Sequence, residues 1–213
     1  MDTARKNAII LTADRFEDLE LFYPLFRLRE MGWHVDIAAP VKKKISGEHG
    51  YALDPTLPIS EASADQYDLL IIPGGRPGGA PDTVRKSRKA REITQSFFAD
   101  NKLVASICHG PWTLASANVL RGRHLTSYWH DGVQEDIKAA GGIWGDKEVV
   151  VDGNLITSRW PMDLSRRSCG KLRKGPARQD NRDDPPWVAA CNGVSAFRMR
   201  ASASMEMPHG SKS

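Results

Sequence analysis

Three short apolar runs constrain this chain more than any other feature of its sequence: NAIILTA at 7–13, YDLLIIPGG at 67–75 and KLVASIC at 102–108. Their strand-like cores are apolar at consecutive rather than alternate positions, the pattern of a strand covered on both faces. Strands of that kind need helices above and below them, and the intervening sequence supplies helical spacing. DRFEDLELFYPLFRLREMG sets Phe16, Leu19, Phe22, Leu25, Phe26 and Leu28 at helical intervals and closes on Gly32 as a C-cap. WHVDIAAP then reads as a second strand, which completes a βαβ unit.

The alternation continues along the chain. KKKISGEHGYALDPTLPISEA mixes Gly, Pro and charge and predicts an excursion with at most a short edge strand. PDTVRKSRKAREITQSFFADN predicts a helix with Ile93, Phe97 and Phe98 inward, and GPWTLASANVL another, with Pro111 in its first turn. RHLTSYW, GVQEDIKAAGG and EVVVDGNLITSRW follow as strand, helix and hairpin with an Asp-Gly turn. Alternating strands and helices predict an α/β fold with a mostly parallel sheet and helices on both faces.

A length of 213 residues suits one sizeable core, and the pattern holds to Leu164. Residues 165–213 are rich in Arg, Ser, Gly and Pro without sustained periodicity and read as a disordered or poorly packed tail. Charge divides at the same place. Residues 1–164 hold 20 Lys/Arg against 22 Asp/Glu, a net −2, whereas residues 165–213 hold 10 against 4, a net +6. The overall charge of +4 therefore belongs to the tail, and the body carries no footprint for nucleic acid. GGRPGG is not a dinucleotide fingerprint, and VKKK and SRKAR read as solvated faces. The opening apolar stretch is too short for a signal-peptide core or a membrane span, so a cytoplasmic protein is expected.

Three cysteines, Cys108, Cys169 and Cys191, lack CxxC spacing and metal-type pairing with histidine, so no metal site, cofactor or disulfide framework is expected. Cys108 closes an apolar run and precedes a helical pattern. In a parallel sheet that join faces the crevice where ligands bind. The helix N-terminus beyond it is expected to lower the thiol pKa, and a sharp strand-to-helix turn exposes the side chain in the manner of a nucleophile elbow. The alternative is a small buried hydrophobe. His109 is the adjacent candidate for a general base or carbonyl-polarising group, although adjacency alone does not bring its ring to the sulfur. Gly74 and Gly75 at the end of a neighbouring strand offer amides for an oxyanion hole, or form a tight turn.

FEDLEL, IIPGGR, ASICHGP, LTSY and EVVVDGNLITSRWPMDL, in that order and spacing, resemble the PfpI-type intracellular proteases and glyoxalases. That family shares a superfamily with the Parkinsonism-associated protein deglycase and class I glutamine amidotransferase domains. The resemblance covers about residues 7–164 and implies a flavodoxin-like three-layer sandwich with Cys108 as nucleophile and His109 as its partner. It matches Glu17 to the family's acidic residue that approaches the thiol. In the PfpI branch a glutamate reaches the histidine from another subunit; the matching position here is Asp82, one methylene shorter. The resemblance thereby implies a homo-oligomer, dimers assembled into hexamers, and it makes Tyr128 a pocket-lining residue with His130 nearby. It also implies a short closing helix after PMDL, where this chain has SRRSCGKLRKG, which reads as a frameshift or an unrelated extension beginning near Ser165.

Three functions from different classes fit these residues. The first is a cysteine hydrolase, a peptidase or protein deglycase, acting on amides or glycated adducts. The second is a glutathione-independent glyoxalase that converts a small dicarbonyl, methylglyoxal, to lactate. The third is a non-enzymatic redox-sensing or chaperone-like stress protein built on an oxidisable Cys108.

Overall fold

The computed structural model describes residues 6–164. The tail from Ser165 and the closing helix expected there lie outside the described residues.

The three apolar runs form adjacent strands at the middle of a seven-stranded sheet. These are β1 (Asn7–Leu11), β6 (Leu69–Ile72) and β7 (Leu103–Ile107), with β2 (His34–Ala39) beyond β1. The sheet order is β10-β11-β7-β6-β1-β2-β5, where β5 is Leu57–Pro58, β10 Val149–Asp152 and β11 Leu155–Ser158. Every pairing is parallel except the β10–β11 hairpin at one edge. Ile9, Ile10, Leu69, Leu70, Ile72 and Val104 are fully buried, as strands covered on both faces must be.

The excursion after β2 holds a small hairpin, β3 (Ile45–Ser46) with β4 (Ala52–Leu53), before β5 joins the sheet edge. The long predicted helix is two. α2 (Ala80–Lys86) stops at Ser87, whose extended backbone and side-chain bond to the Ala90 amide start α3 (Arg88–Ala99). An N-cap serine of this kind contributes about 1 kcal/mol and outweighs the continuity of the charge pattern. α4 is Pro111–Ser116. The expected strand at RHLTSYW shrinks to β8 (His124–Leu125), which pairs with β9 (Ile143–Trp144) outside the main sheet, on either side of α5 (Val133–Ala139).

α1 (Asp18–Glu30) buries a different stripe from the one its large apolar residues suggest. Leu21, Pro24, Leu25 and Leu28 face inward, whereas Leu19 and Phe26 are exposed. Phe16 is buried ahead of the helix, where its ring meets Phe22 edge-on. Glu20 lies on the buried stripe with Pro24 and Leu28 at intervals of four and is fully buried. Pro24 also withholds the amide that the Glu20 carbonyl would otherwise accept, which loosens the helix at that residue.

Candidate active site

Cys108 lies one residue beyond β7, at the carboxyl edge of the sheet, with φ +57°. A non-glycine residue in the left-handed region is uncommon, and strain of this kind concentrates where a side chain is held for use. The turn is fixed on both sides: the Cys108 amide donates to Ser158 O at 2.9 Å, and the Cys108 carbonyl accepts the Tyr128 amide at 2.9 Å. Gly110 has no room for a side chain, since a Cβ there would sit 2.2 Å from Ile72 O. The expected elbow is present.

His109 reaches the sulfur. Its Nδ1 lies 3.2 Å from Cys108 Sγ, and its Nε2 lies 3.1 Å from Asp131 Oδ2. Trp112 and Tyr128 hold the ring from two sides, with centroids 5.0 and 4.9 Å away. Burial keeps the His109 imidazolium below its ordinary range, against the opposing pull of Asp131. The neutral ring can donate from Nε2 to Asp131 and leave Nδ1 as the acceptor facing the thiol. Tyr128 is thus at the site, and its ring also meets His130.

The acidic residue at the thiol is Glu20, which corrects the assignment of Glu17. Glu20 Oε2 accepts the Gly74 amide at 2.7 Å, and its carboxyl lies against Cys108. Glu20 Oε1 is buried without a well-aligned hydrogen-bond partner among the described residues. Glu17 instead caps α1, accepting the Leu19 amide, and its Oε1 lies 3.6 Å from His49 Nδ1. Three residues along a helix are most of a turn, so the first carboxyl stays at the helix end while the second enters the core.

The thiol is not depressed as expected. Burial, and then the Glu20 carboxylate, push the Cys108 thiol well above its ordinary range, and the His109 amide hydrogen bond to sulfur opposes this only in part. Desolvation of the charged form is the largest influence on the thiol. Burial likewise raises Glu20, to about 8, so at neutral pH it holds a proton. A protonated Glu20 no longer repels a thiolate and can donate to it, so the two groups titrate as a pair.

Gly74 is committed to Glu20, which removes its amide from the expected oxyanion hole. Gly75 has φ +139° and sits tightly against the Arg15 carbonyl, so its position requires glycine. The His109 N–H is the backbone amide bonded to the sulfur. Asp82, on α2, is occupied locally: it accepts the Gly78 amide at 2.6 Å and the Arg85 Nε at 2.9 Å, and these contacts hold its carboxyl below the usual range. Within the chain it makes no hydrogen bond to His109, which it senses only at a distance. Among the described residues no cluster of His, Cys, Asp and Glu could hold a metal ion, and no helix is long and apolar enough to cross a membrane.

Two of these residues escape a reading of the sequence. Glu20 had a signal, its register with Pro24 and Leu28. Asp131 had none, because its contact spans 22 residues.

Comparison with known proteins agrees with this geometry. Residues 6–166 match the DJ-1/PfpI family. Deglycase TK1284 of Thermococcus kodakarensis is 51% identical over 73% of this chain and 91% of its own length. Deglycase PfpI of Pyrococcus furiosus is 49% identical over the same shares. The crystal structure of Drosophila melanogaster DJ-1beta superposes with a TM-score of 0.67 at 28% identity, over 75% of this chain and 84% of that one. An elbow thiol in a flavodoxin-like sheet and about half of the aligned positions shared with two relatives lead to one conclusion: the chain belongs to the DJ-1/PfpI family.

Proposed function

We propose that this protein is a cysteine-dependent hydrolase of the deglycase or peptidase type, acting on small amides or glycated adducts. One observation carries the reading: Cys108 Sγ, on a left-handed elbow, lies 3.2 Å from His109 Nδ1. The names of these relatives, deglycases at about half identity, support it.

His109 Nδ1 takes the thiol proton as Sγ forms a bond to the substrate carbonyl carbon. Negative charge gathers on the carbonyl oxygen, and the Gly75 amide is the donor proposed to meet it. With an amide the carbon–nitrogen bond then breaks, His109 returns its proton to the departing amine, and water hydrolyses the thioester to the acid and free thiol. With a glycated adduct the amine leaves from the carbinolamine carbon as the thiol adds there, giving a hemithioacetal. Deferring thiolate formation until substrate arrives suits a sulfur whose resting state is protonated.

A second reading, glyoxalase activity, is favoured by Glu20. With a pKa of about 8, Glu20 reaches both its forms near neutral pH, and as the carboxylate beside the sulfur it can take the proton from one carbon of a methylglyoxal hemithioacetal and return it to the next. An assembly of like copies belongs to either reading, and Leu19 and Phe26, exposed apolar residues on α1, support it.

The test incubates purified protein and Cys108→Ala with a methylglyoxal-modified N-acetylarginine and, separately, with free methylglyoxal, following amine release and lactate. Cys108-dependent release of unmodified arginine that outpaces free methylglyoxal consumption supports the hydrolase. Lactate from free methylglyoxal at a matching or greater rate supports the glyoxalase, and turnover by neither route removes both.

A further inference from the structure

We infer that Asp131 is a positioning residue for His109, fixing the tautomer and orientation of its ring from within the same chain. This inference rests on the thiol-nucleophile reading above and goes beyond it.

The contact is direct, with Asp131 Oδ2 3.1 Å from His109 Nε2, on the ring edge opposite the sulfur. A carboxylate there accepts the Nε2 proton. The Nδ1 lone pair is then presented to Cys108 Sγ at 3.2 Å. The carboxylate strengthens the preference for the Nε2 proton inside a buried site, and any ring carrying its proton on Nδ1 would point it at the thiol and disable the base.

The loop is built to hold this carboxylate. Asp131 has φ +62° and is followed by Gly132 at φ +81°, two successive left-handed residues leading into α5. Tethers fix the segment before it: the Tyr128 amide donates to the Cys108 carbonyl, the Thr126 amide to Thr157 Oγ1 and Trp144 Nε1 to Ser127 Oγ. The loop is therefore bonded to the elbow residue itself, which places Asp131 and Cys108 on opposite edges of one imidazole. Asp82 is spent on Gly78 and Arg85. The charged groups facing His109 are Asp131 at Nε2 and, at longer range, Glu48 and Asp82.

The test uses full-length protein labelled with 15N-histidine. Nitrogen shifts report the His109 tautomer, and the pH profile of Cys108 alkylation by iodoacetamide reports the thiol–imidazole pair; neither readout needs a substrate. In wild type the proton is expected on Nε2. Asp131→Asn is expected to mix or reverse the tautomer, lower the alkylation rate at pH 7 at least tenfold and shift its pH profile, whereas Asp131→Glu restores both in part. Asp82→Asn is expected to leave the tautomer unchanged. An unaltered tautomer and alkylation profile in folded Asp131→Asn overturn the inference, as does a tautomer that responds to Asp82→Asn and to dilution. A tautomer change in Asp131→Asn from a protein that turns over no adduct would sustain the positioning role and remove the hydrolase reading instead.

Discussion

Glu20 Oε2 accepts the Gly74 amide at 2.7 Å, and the same carboxyl lies against the Cys108 thiol. One hydrogen bond thus joins the first helix to the end of β6 and sets an acid at the nucleophile. It leaves no room for a side chain at Gly74, where a Cβ would sit 2.7 Å from Glu20 Oε2 and 2.8 Å from Cys108 Cβ. The fully buried carboxyl is an electrostatic concession.

That concession sets a pH dependence. Burial raises Glu20 to about 8 from 4.5, so the folded protein keeps a proton that the unfolded chain releases between those values. The associated stability is fully present below pH 4.5 and is lost as pH rises through 8. Glu20→Gln presents a neutral side chain at every pH and can still accept the Gly74 amide. Its stability relative to wild type is expected to grow from near zero at pH 4.5 to a few kcal/mol, roughly, at pH 9, while turnover falls by about 10²-fold or more. Urea denaturation at both pH values checks this. An equal difference at the two would show that Glu20 is ionised throughout.

The thiol should respond to the same substitution. Burial raises Cys108 at every pH, so its alkylation by iodoacetamide at pH 7 is expected to be slower than that of an exposed cysteine. Above pH 8, where Glu20 is charged in wild type, Glu20→Gln removes the repulsion and is expected to react several-fold faster; near pH 6 the two proteins should react alike. Peptide-resolved mass spectrometry of the Cys108 adduct gives the profiles. Superimposable curves would mean that burial alone sets the thiol.

The sheet was legible because both-face burial leaves an uninterrupted apolar signature, as in LLII and NAIIL, and because a strand that ends in Cys108 and runs into Pro111 must turn sharply. Adjacency to Cys108 also pointed to His109, and the family resemblance pointed to Tyr128. Local spacing failed where a polar contact outweighed it. Leu19 and Phe26 have the size of core residues but are exposed, because the stripe through Glu20, Pro24 and Leu28 turns inward to bring a carboxyl to the thiol. Glu17 and Glu20 are both glutamates near a helix start, and only the three-dimensional register separates a cap from a buried acid. Asp131 depends on a loop folding back onto the elbow, which no period in the sequence encodes.

Asp18 supports the site from below. Its buried carboxylate accepts the His49 amide at 2.8 Å, the Tyr51 amide at 3.1 Å and lies 3.3 Å from His49 Nδ1, clasping the hairpin that carries Glu48. Glu48 in turn accepts the Arg76 amide at 2.6 Å, beside Gly75. Asp18→Ala is expected to cost about 1–3 kcal/mol and to speed hydrogen exchange at His49, Tyr51 and Arg76 together. Faster exchange at His49 and Tyr51 with Arg76 unchanged would show that the hairpin and the glycine loop move independently.

Gly110 tests whether the elbow tolerates any relaxation. Its φ is −52°, open to any residue, so only space forbids a side chain. A Cβ there would lie 2.2 Å from Ile72 O, 2.6 Å from Ser106 Oγ and 2.9 Å from Ile107 O, and two of the three are strand backbone. Moving them means parting β6 from β7 directly beneath Cys108. Gly110→Ala is expected to cost about 3 kcal/mol or more, at the upper end of overpacking effects, and to lower turnover out of proportion to the fraction unfolded. Gly145→Ala is the control, since a Cβ at that position meets nothing within 4 Å and it is expected to change stability by less than about 0.5 kcal/mol. Denaturation midpoints for the pair separate steric cost at the elbow from the general effect of replacing glycine; equal midpoints would mean that the two strands yield to the methyl group.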